Sequence, residues 1–154
     1  MKNKVPAKRV DIVSVYMVRE NSFLYESRYI TSPSEVVNMV NEHLKMDKLD
    51  REAFVIIAVD SKCRPTHIST ISIGSLNASI VHMREVFKMA ILANAHSIIA
   101  VHNHPSGNPT PSNEDRKITK RLKDAGELLG IPLLEHIIIG ENGNYTSMKE
   151  EGEL

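Results

Sequence analysis

The sequence predicts a three-layer α-β-α domain around a mixed β-sheet, and three observations carry that expectation. First, Ala53 to Asp60 (AFVIIAVD) and Ser97 to Val101 (SIIAV) are short unbroken apolar runs, the pattern of strands buried on both faces. Second, segments with helical apolar spacing, two of them opened by capping boxes, alternate with such runs. Third, a chain of 154 residues falls in the commonest range for one domain with one core. Strands alternating with helices bury their apolar faces by layering helices on both sides of a sheet.

The elements follow in order. Val10 to Val18 (VDIVSVYMV) alternates apolar residues with a strand period, and Phe23 to Ile30 is a second β-like run, so a hairpin is expected over the first thirty residues. Ser32-Pro33-Ser34-Glu35 combines a serine N-cap, a proline at the first helical position and a glutamate that completes a capping box. Val36, Val37, Val40 and Leu44 supply that helix's apolar face. Ala53 to Asp60 is expected to be a central strand. Pro65 to Gly74 is β-branched and ends at a glycine, which predicts another strand. His82 to Ala95 has Val86, Met89, Ala90 and Ala93 at helical spacing, and the strand Ser97 to Val101 follows. HNHPSGNPTPSNED, rich in Pro, Gly and Asn, is a loop. Within it Ser112 and Asp115 form a second capping box for a helix carrying Ile118, Leu122, Ala125 and Leu129, stopped by Gly130. LLEHIIIG and a segment near Tyr145 are the last β elements.

Composition excludes several classes. Apolar residues at 42% and charged residues at 25% are ordinary for a globular chain and argue against wholesale disorder. Nineteen basic side chains balance nineteen acidic ones, so no large positive field draws DNA phosphates, and no strong nucleic-acid binding is expected. Cys63 is the only cysteine, which excludes an internal disulfide and suits a reducing compartment; it reads as a small buried hydrophobe. The basic N-terminus runs into polar and acidic residues rather than a long apolar stretch, so neither a signal peptide nor a membrane span is expected. The expected location is the cytoplasm.

The chemistry concentrates around one loop. His102 and His104 stand two apart at a strand end, so extended backbone sends both imidazoles to one side. Asp115, in the first turn of the next helix, can be folded back toward them. Two imidazoles and a carboxylate suit a catalytic zinc, which takes three protein ligands and leaves a position for water. Such sites also fall beyond the carboxyl ends of strands in α/β sheets.

His102-x-His104-Pro105, six residues, then Ser112-x-x-Asp115 resembles the whole HxHP-x6-SxxD signature of the JAMM (JAB/MPN-plus) metalloproteases. HNHPSG, REVFKMAILANA and LLEHIIIG resemble the RadC-like branch of that family, from about Ser34 to the C-terminus. The resemblance implies a JAMM/MPN-like, cytidine-deaminase-like arrangement for residues 31–154; the strand pattern of residues 1–30 makes them an N-terminal β-hairpin extension. It implies zinc on His102, His104 and Asp115, and hydrolysis of a peptide or isopeptide bond in a peptide or protein substrate. Family proteins use an upstream glutamate as general base, and Glu52, just before the strand FVIIAV, is the best positional match; Glu85 is its competitor. The resemblance also assigns Ser112 to the oxyanion of the tetrahedral intermediate. Two features depart from the family: the first thirty residues do not resemble a helix-hairpin-helix DNA-binding module, and its HPRE and DHI segments stand here as His82-Met83-Arg84-Glu85 and Glu135-His136-Ile137.

Several residues carry plainer readings beside these. Asp115 and Ser112 also serve as a capping box worth about 1 kcal/mol, and Glu52 taken alone is a solvated charge beside Arg51. His43, His67, His82 and His96 lack a partner at a telling spacing, and His136 reads first as core packing. Arg116, Lys117, Lys120, Arg121 and Lys123 are interrupted by acids, as on a solvated helix face. Three functions stay open on these residues: a zinc peptidase or isopeptidase, a metal-dependent nuclease or phosphoesterase in DNA processing, and a non-catalytic interaction module. A homo-oligomer is compatible with each.

Overall fold

The computed structural model describes residues 7–74 and 81–154. Helix α1 (Pro33–Leu44) starts at Ser32, whose N–H donates to the Glu35 carboxylate at 3.3 Å, alongside the Thr31 N–H at 2.6 Å. The helix ends at Lys45 in the left-handed conformation, φ 56°. A short 3₁₀ turn (Met46–Lys48) leads toward strand β1 (Ala53–Val59), every residue of which is buried. Strand β2 (Pro65–Ile73), helix α2 (Met83–Leu92), strand β3 (Ser97–Asn103), helix α3 (Asn113–Leu129), strand β4 (Leu133–Ile139) and strand β5 (Tyr145–Ser147) follow.

The five strands form one mixed sheet in the order β2-β1-β3-β4-β5. β1 runs antiparallel to both β2 and β3, β3 and β4 are parallel, and β5 returns antiparallel. The parallel step is a β3-α3-β4 crossover, which carries α3 across the sheet face. β1 is an interior strand, as its apolar run requires, but the middle position belongs to β3.

Alternation of side chains divides the core into two halves. Phe54, Ile56 and Ala58 of β1 with Ile98 and Ala100 of β3 pack beneath Val86, Phe87 and Ala90 of α2 and Ile118 and Leu122 of α3. Val55, Ile57 and Val59, with Ile99, Val101, Ile137 and Ile139, pack against Val36, Val37 and Val40 of α1. The layers are therefore α1, sheet, and α2 with α3, a three-layer α/β fold of the kind a JAB/MPN domain has. No helix among the described residues is long and apolar enough to cross a membrane.

Two expectations are corrected. The hairpin expected over residues 1–30 does not form among the described residues from 7 onward, which contain no strand before β1; residues 1–6 lie outside the described residues. Val10, Ile12, Val15 and Val18 stay exposed, because a β-like apolar run settles as a strand only where a facing layer receives it. Cys63 is exposed rather than buried. It occupies a left-handed position, φ 56°, in the β1-β2 turn, where Asp60 Oδ1 accepts from the N–H groups of Lys62 and Arg64.

The helix that carries a candidate ligand depends on one glycine for its docking. A Cβ on Gly126 would lie 2.6 Å from the Ile131 carbonyl oxygen, a backbone atom in the turn that leads into β4. Alanine normally favours a helix interior by about 1 kcal/mol over glycine. Gly126→Ala is expected to reverse that sign and lose about 2 kcal/mol, lowering Tm by roughly 4–8 °C in a thermal melt. An unchanged or raised Tm would show that α3 docks with slack.

Candidate metal centre

β3 delivers the first two side chains. His102 lies on the α2/α3 side of the sheet, opposite Phe54 in register, and is fully buried. His104 follows the end of the strand, but its N–H still donates to the Ile139 carbonyl at 2.8 Å, so the backbone stays extended for one more step. The two imidazoles meet as their spacing predicts, with Nε2 atoms 3.1 Å apart. Asn103, between them, points to the other face. Its Oδ1 accepts from the Ala53 N–H at 2.8 Å and its Nδ2 donates to the Arg51 carbonyl at 3.0 Å.

The connecting loop turns back at once. Gly107, φ 84°, donates its N–H to the His104 carbonyl, and its own carbonyl accepts from the Glu141 N–H at 3.0 Å. A Cβ on Gly140 would stand 2.4 Å from that Gly107 oxygen, so the close approach needs glycine there. The loop ends at Ser112, the N-cap of α3. Asp115 Oδ2 accepts from the Ser112 N–H at 2.7 Å and its Oγ–H at 2.6 Å, while the Asp115 N–H donates to Ser112 Oγ at 3.1 Å. Capping thus occupies one carboxylate oxygen. The other, Oδ1, faces His102 Nε2 at 3.1 Å, and Oδ2 lies 3.4 Å from His104 Nε2.

Among the described residues, His102, His104 and Asp115 are the group whose donor atoms gather closely enough to hold a metal, all within 4.8 Å of one another. Burial holds His102 below its ordinary pKa, against the pull of Asp115. The hydrogen bond with Asp115 raises His104 above its ordinary value, with desolvation opposing. Burial alone would push the Asp115 carboxyl up, but His102, His104 and Ser112 outweigh it and hold the group far below the usual carboxylate range.

The chemistry of this donor set fits a divalent cation. His104 Nδ1 lies 2.8 Å from the Asn108 carbonyl, which only accepts, so Nδ1 carries the proton and the neutral ring presents a lone pair at Nε2. That lone pair faces a second Nε2 and a carboxylate in a desolvated spot. Donor atoms sharing one tetrahedral ion at about 2.0–2.1 Å stand roughly 3.3 Å apart. The separations of 3.1 Å between the nitrogens and 3.1 Å from His102 Nε2 to Oδ1 are of that size, while His104 Nε2 lies 3.4 Å from the other oxygen, Oδ2.

Of the other residues singled out, Glu52 is half-buried two positions before Phe54, and its charge acts on both His102 and His104, raising their proton affinity. Its backbone is held on every side: Asn103 bonds the residues before and after it, and its own carbonyl accepts from the Gly74 N–H at 2.8 Å. Glu85 is elsewhere, on α2, in ion pairs with Lys88 and Arg84. The basic cluster on α3 is largely matched by acids, with Arg116 on Glu153, Lys117 on Glu114 and Lys120 on Asp124. Sequence reasoning passed over Thr119 and read His136 first as core packing. His136 Nε2 lies 2.9 Å from His102 Nδ1, and Thr119 Oγ1 lies 2.6 Å from His136 Nδ1, both residues being buried. The available signal was a lone histidine inside the apolar run LLEHIIIG, since a buried polar group requires a partner.

The fold and this centre define a JAMM-like domain whose His-His-Asp cluster fits a divalent metal, the arrangement of a metal-dependent hydrolase. The RadC-like JAB domain model matches residues 30–153, and the chain belongs to that family. It is 50% identical over 125 residues to a UPF0758 protein of Desulfitobacterium hafniense, covering 81% of this chain and 54% of that protein. It is 53% identical over 127 residues to one of Caldanaerobacter subterraneus subsp. tengcongensis, covering 82% and 53%. With a UPF0758 protein of Methanosarcina mazei the identity is 46% over 149 residues, covering 95% and 64%. The chain therefore spans just over half the length of several curated relatives.

Protons compete with the cation for His104 Nε2, and the raised pKa of that ring makes the competition start at higher pH than for a free histidine. Metal affinity is expected to fall about tenfold per pH unit below that pKa, because one proton must leave before the ligand can bind. His102, shifted the other way, adds its own slope only at lower pH than His104 does. A competitive zinc titration between about pH 5.5 and 8 reads this slope; an affinity independent of pH would remove His104 from the ligand set.

Proposed function

We propose that this chain is a zinc-dependent peptidase or isopeptidase. The observation that carries the reading is the convergence of His102, His104 and Asp115 beside a half-buried Glu52 whose charge reaches both imidazoles. A zinc ion held by the three ligands would supply Lewis acidity toward a water and a substrate carbonyl. Glu52 accepts the proton of the attacking water and hands it to the leaving amine, which departs neutral. Its clamped backbone keeps the carboxylate in place without the entropy of a loose loop. Ser112 has two tasks in this scheme. Its hydroxyl orients Asp115, and on exchange of that hydrogen bond it donates to the oxyanion.

Peptide-bond hydrolysis is favoured over phosphodiester cleavage by the donor set. Two-metal phosphoryl transfer asks for additional carboxylates around the histidines. Zero formal net charge and the paired cations on α3 support weak binding to duplex DNA. A reducing cytoplasmic compartment suits the single exposed Cys63.

Zinc-loaded protein incubated with peptide and isopeptide libraries, and in parallel with DNA, is expected to yield cleavage products of the first kind alone. Against an authentic substrate, Glu52→Gln should lower kcat by about 10²–10⁴-fold with metal content retained, since the amide keeps the shape but accepts no proton. Ser112→Ala should cost about 10²-fold in kcat. Full turnover by Glu52→Gln would mean that another group is the base.

A further inference from the structure

His136 stands in the middle of β4, opposite Ala100 in register, and uses both ring nitrogens. Thr119 Oγ1, 2.7 Å from the Asp115 carbonyl oxygen, is the partner that sets the order of protons. A carbonyl only accepts, so the Thr119 proton points to Asp115. The hydroxyl oxygen then accepts from His136 Nδ1–H. A neutral His136, as full burial favours, has an accepting Nε2, which takes the proton of His102 Nδ1 at 2.9 Å. The chain of bonds ends with a lone pair on His102 Nε2, directed at Asp115 Oδ1 and His104 Nε2.

The path closes on itself, because its far end is the backbone of Asp115, whose carboxylate forms the other side of the cluster. Phe54 packs against both rings, stacked on His102 at a centroid distance of 5.9 Å and edge-on to His136 at 5.6 Å. We propose that Thr119 and His136 are positioning residues that lock the tautomer and rotation of His102 and tie it to the Asp115 backbone. The β3 ligand and the α3 ligand are thereby set together before a cation arrives. This inference rests on the metal-site reading above.

Two measurements separate its failure from failure of that reading. In the metal-free protein, ¹⁵N–¹H spectra of the histidine side chains report tautomers directly; His102 and His136 are both expected with the proton on Nδ1. A His102 proton on Nε2 would overturn the relay whatever the metal does. Cobalt(II) titration with zinc competition then reads affinity, in wild type and in Thr119→Val, Thr119→Ser and His136→Gln. Thr119→Val, close in volume, should weaken binding about 10–100-fold and alter the cobalt d–d bands, with the metal-free fold intact by circular dichroism. Thr119→Ser, which keeps the hydroxyl, and His136→Gln, which keeps one acceptor and one donor, should recover most of that loss. Wild-type affinity in Thr119→Val contradicts the proposal. A wild-type protein that binds neither ion contradicts the metal site instead, and the tautomer spectra still decide the relay.

Discussion

The whole domain turns on bringing three electron-rich atoms together where water is excluded. His102 Nε2 and His104 Nε2 stand 3.1 Å apart, and the two oxygens of the Asp115 carboxylate face one ring each, with His102 and Asp115 almost wholly buried. In water such atoms would be screened and separately solvated; in a low-dielectric pocket they repel unless a positive charge sits among them. A proton relieves one pair at a time, whereas a divalent cation relieves all three. The site is therefore poised for a cation by the same packing that makes it costly without one.

That convergence is arranged by rigid elements. β3 supplies both histidines at its carboxyl end, where the β3-α3-β4 crossover leaves the sheet and returns α3 over the same face. Ser112 caps α3 and spends one Asp115 oxygen in doing so, which fixes the direction of the other. Asn103, between the two histidines, reaches the opposite face and clamps the backbone around Glu52. One three-residue segment thus holds two candidate ligands and the neighbourhood of the candidate base. Relative placement of all of them depends on a single strand end, which is a sturdier basis for catalysis than a set of independent loops.

Local patterns and short spacings were readable without coordinates. The apolar runs of β1, β3 and β4, the caps at Ser32 and Ser112 and the stop at Gly130 each encode their element within a few residues. The His102, His104, Asp115 set was readable because its members are joined by one loop and one helical turn. His136 and Thr119 were not, since they lie far from His102 along the chain and meet it only through β3-β4 register and the docking of α3. Asn103 gave no sign either, because nothing local shows that its amide reaches the residues flanking Glu52. The segment from Val10 to Val18 misled for the opposite reason: its β-branched apolar content suits a strand, but a strand needs a partner edge and a face to cover, and neither is local information.

Zinc K-edge X-ray absorption on the protein loaded with one equivalent of metal tests the central claim most directly. A mixed nitrogen and oxygen shell at about 2.0–2.1 Å, with imidazole scattering from two rings and no sulfur, is the result this site predicts. A shell containing sulfur, or imidazole scattering left unchanged when His102 is replaced by alanine, would place the metal elsewhere and contradict it.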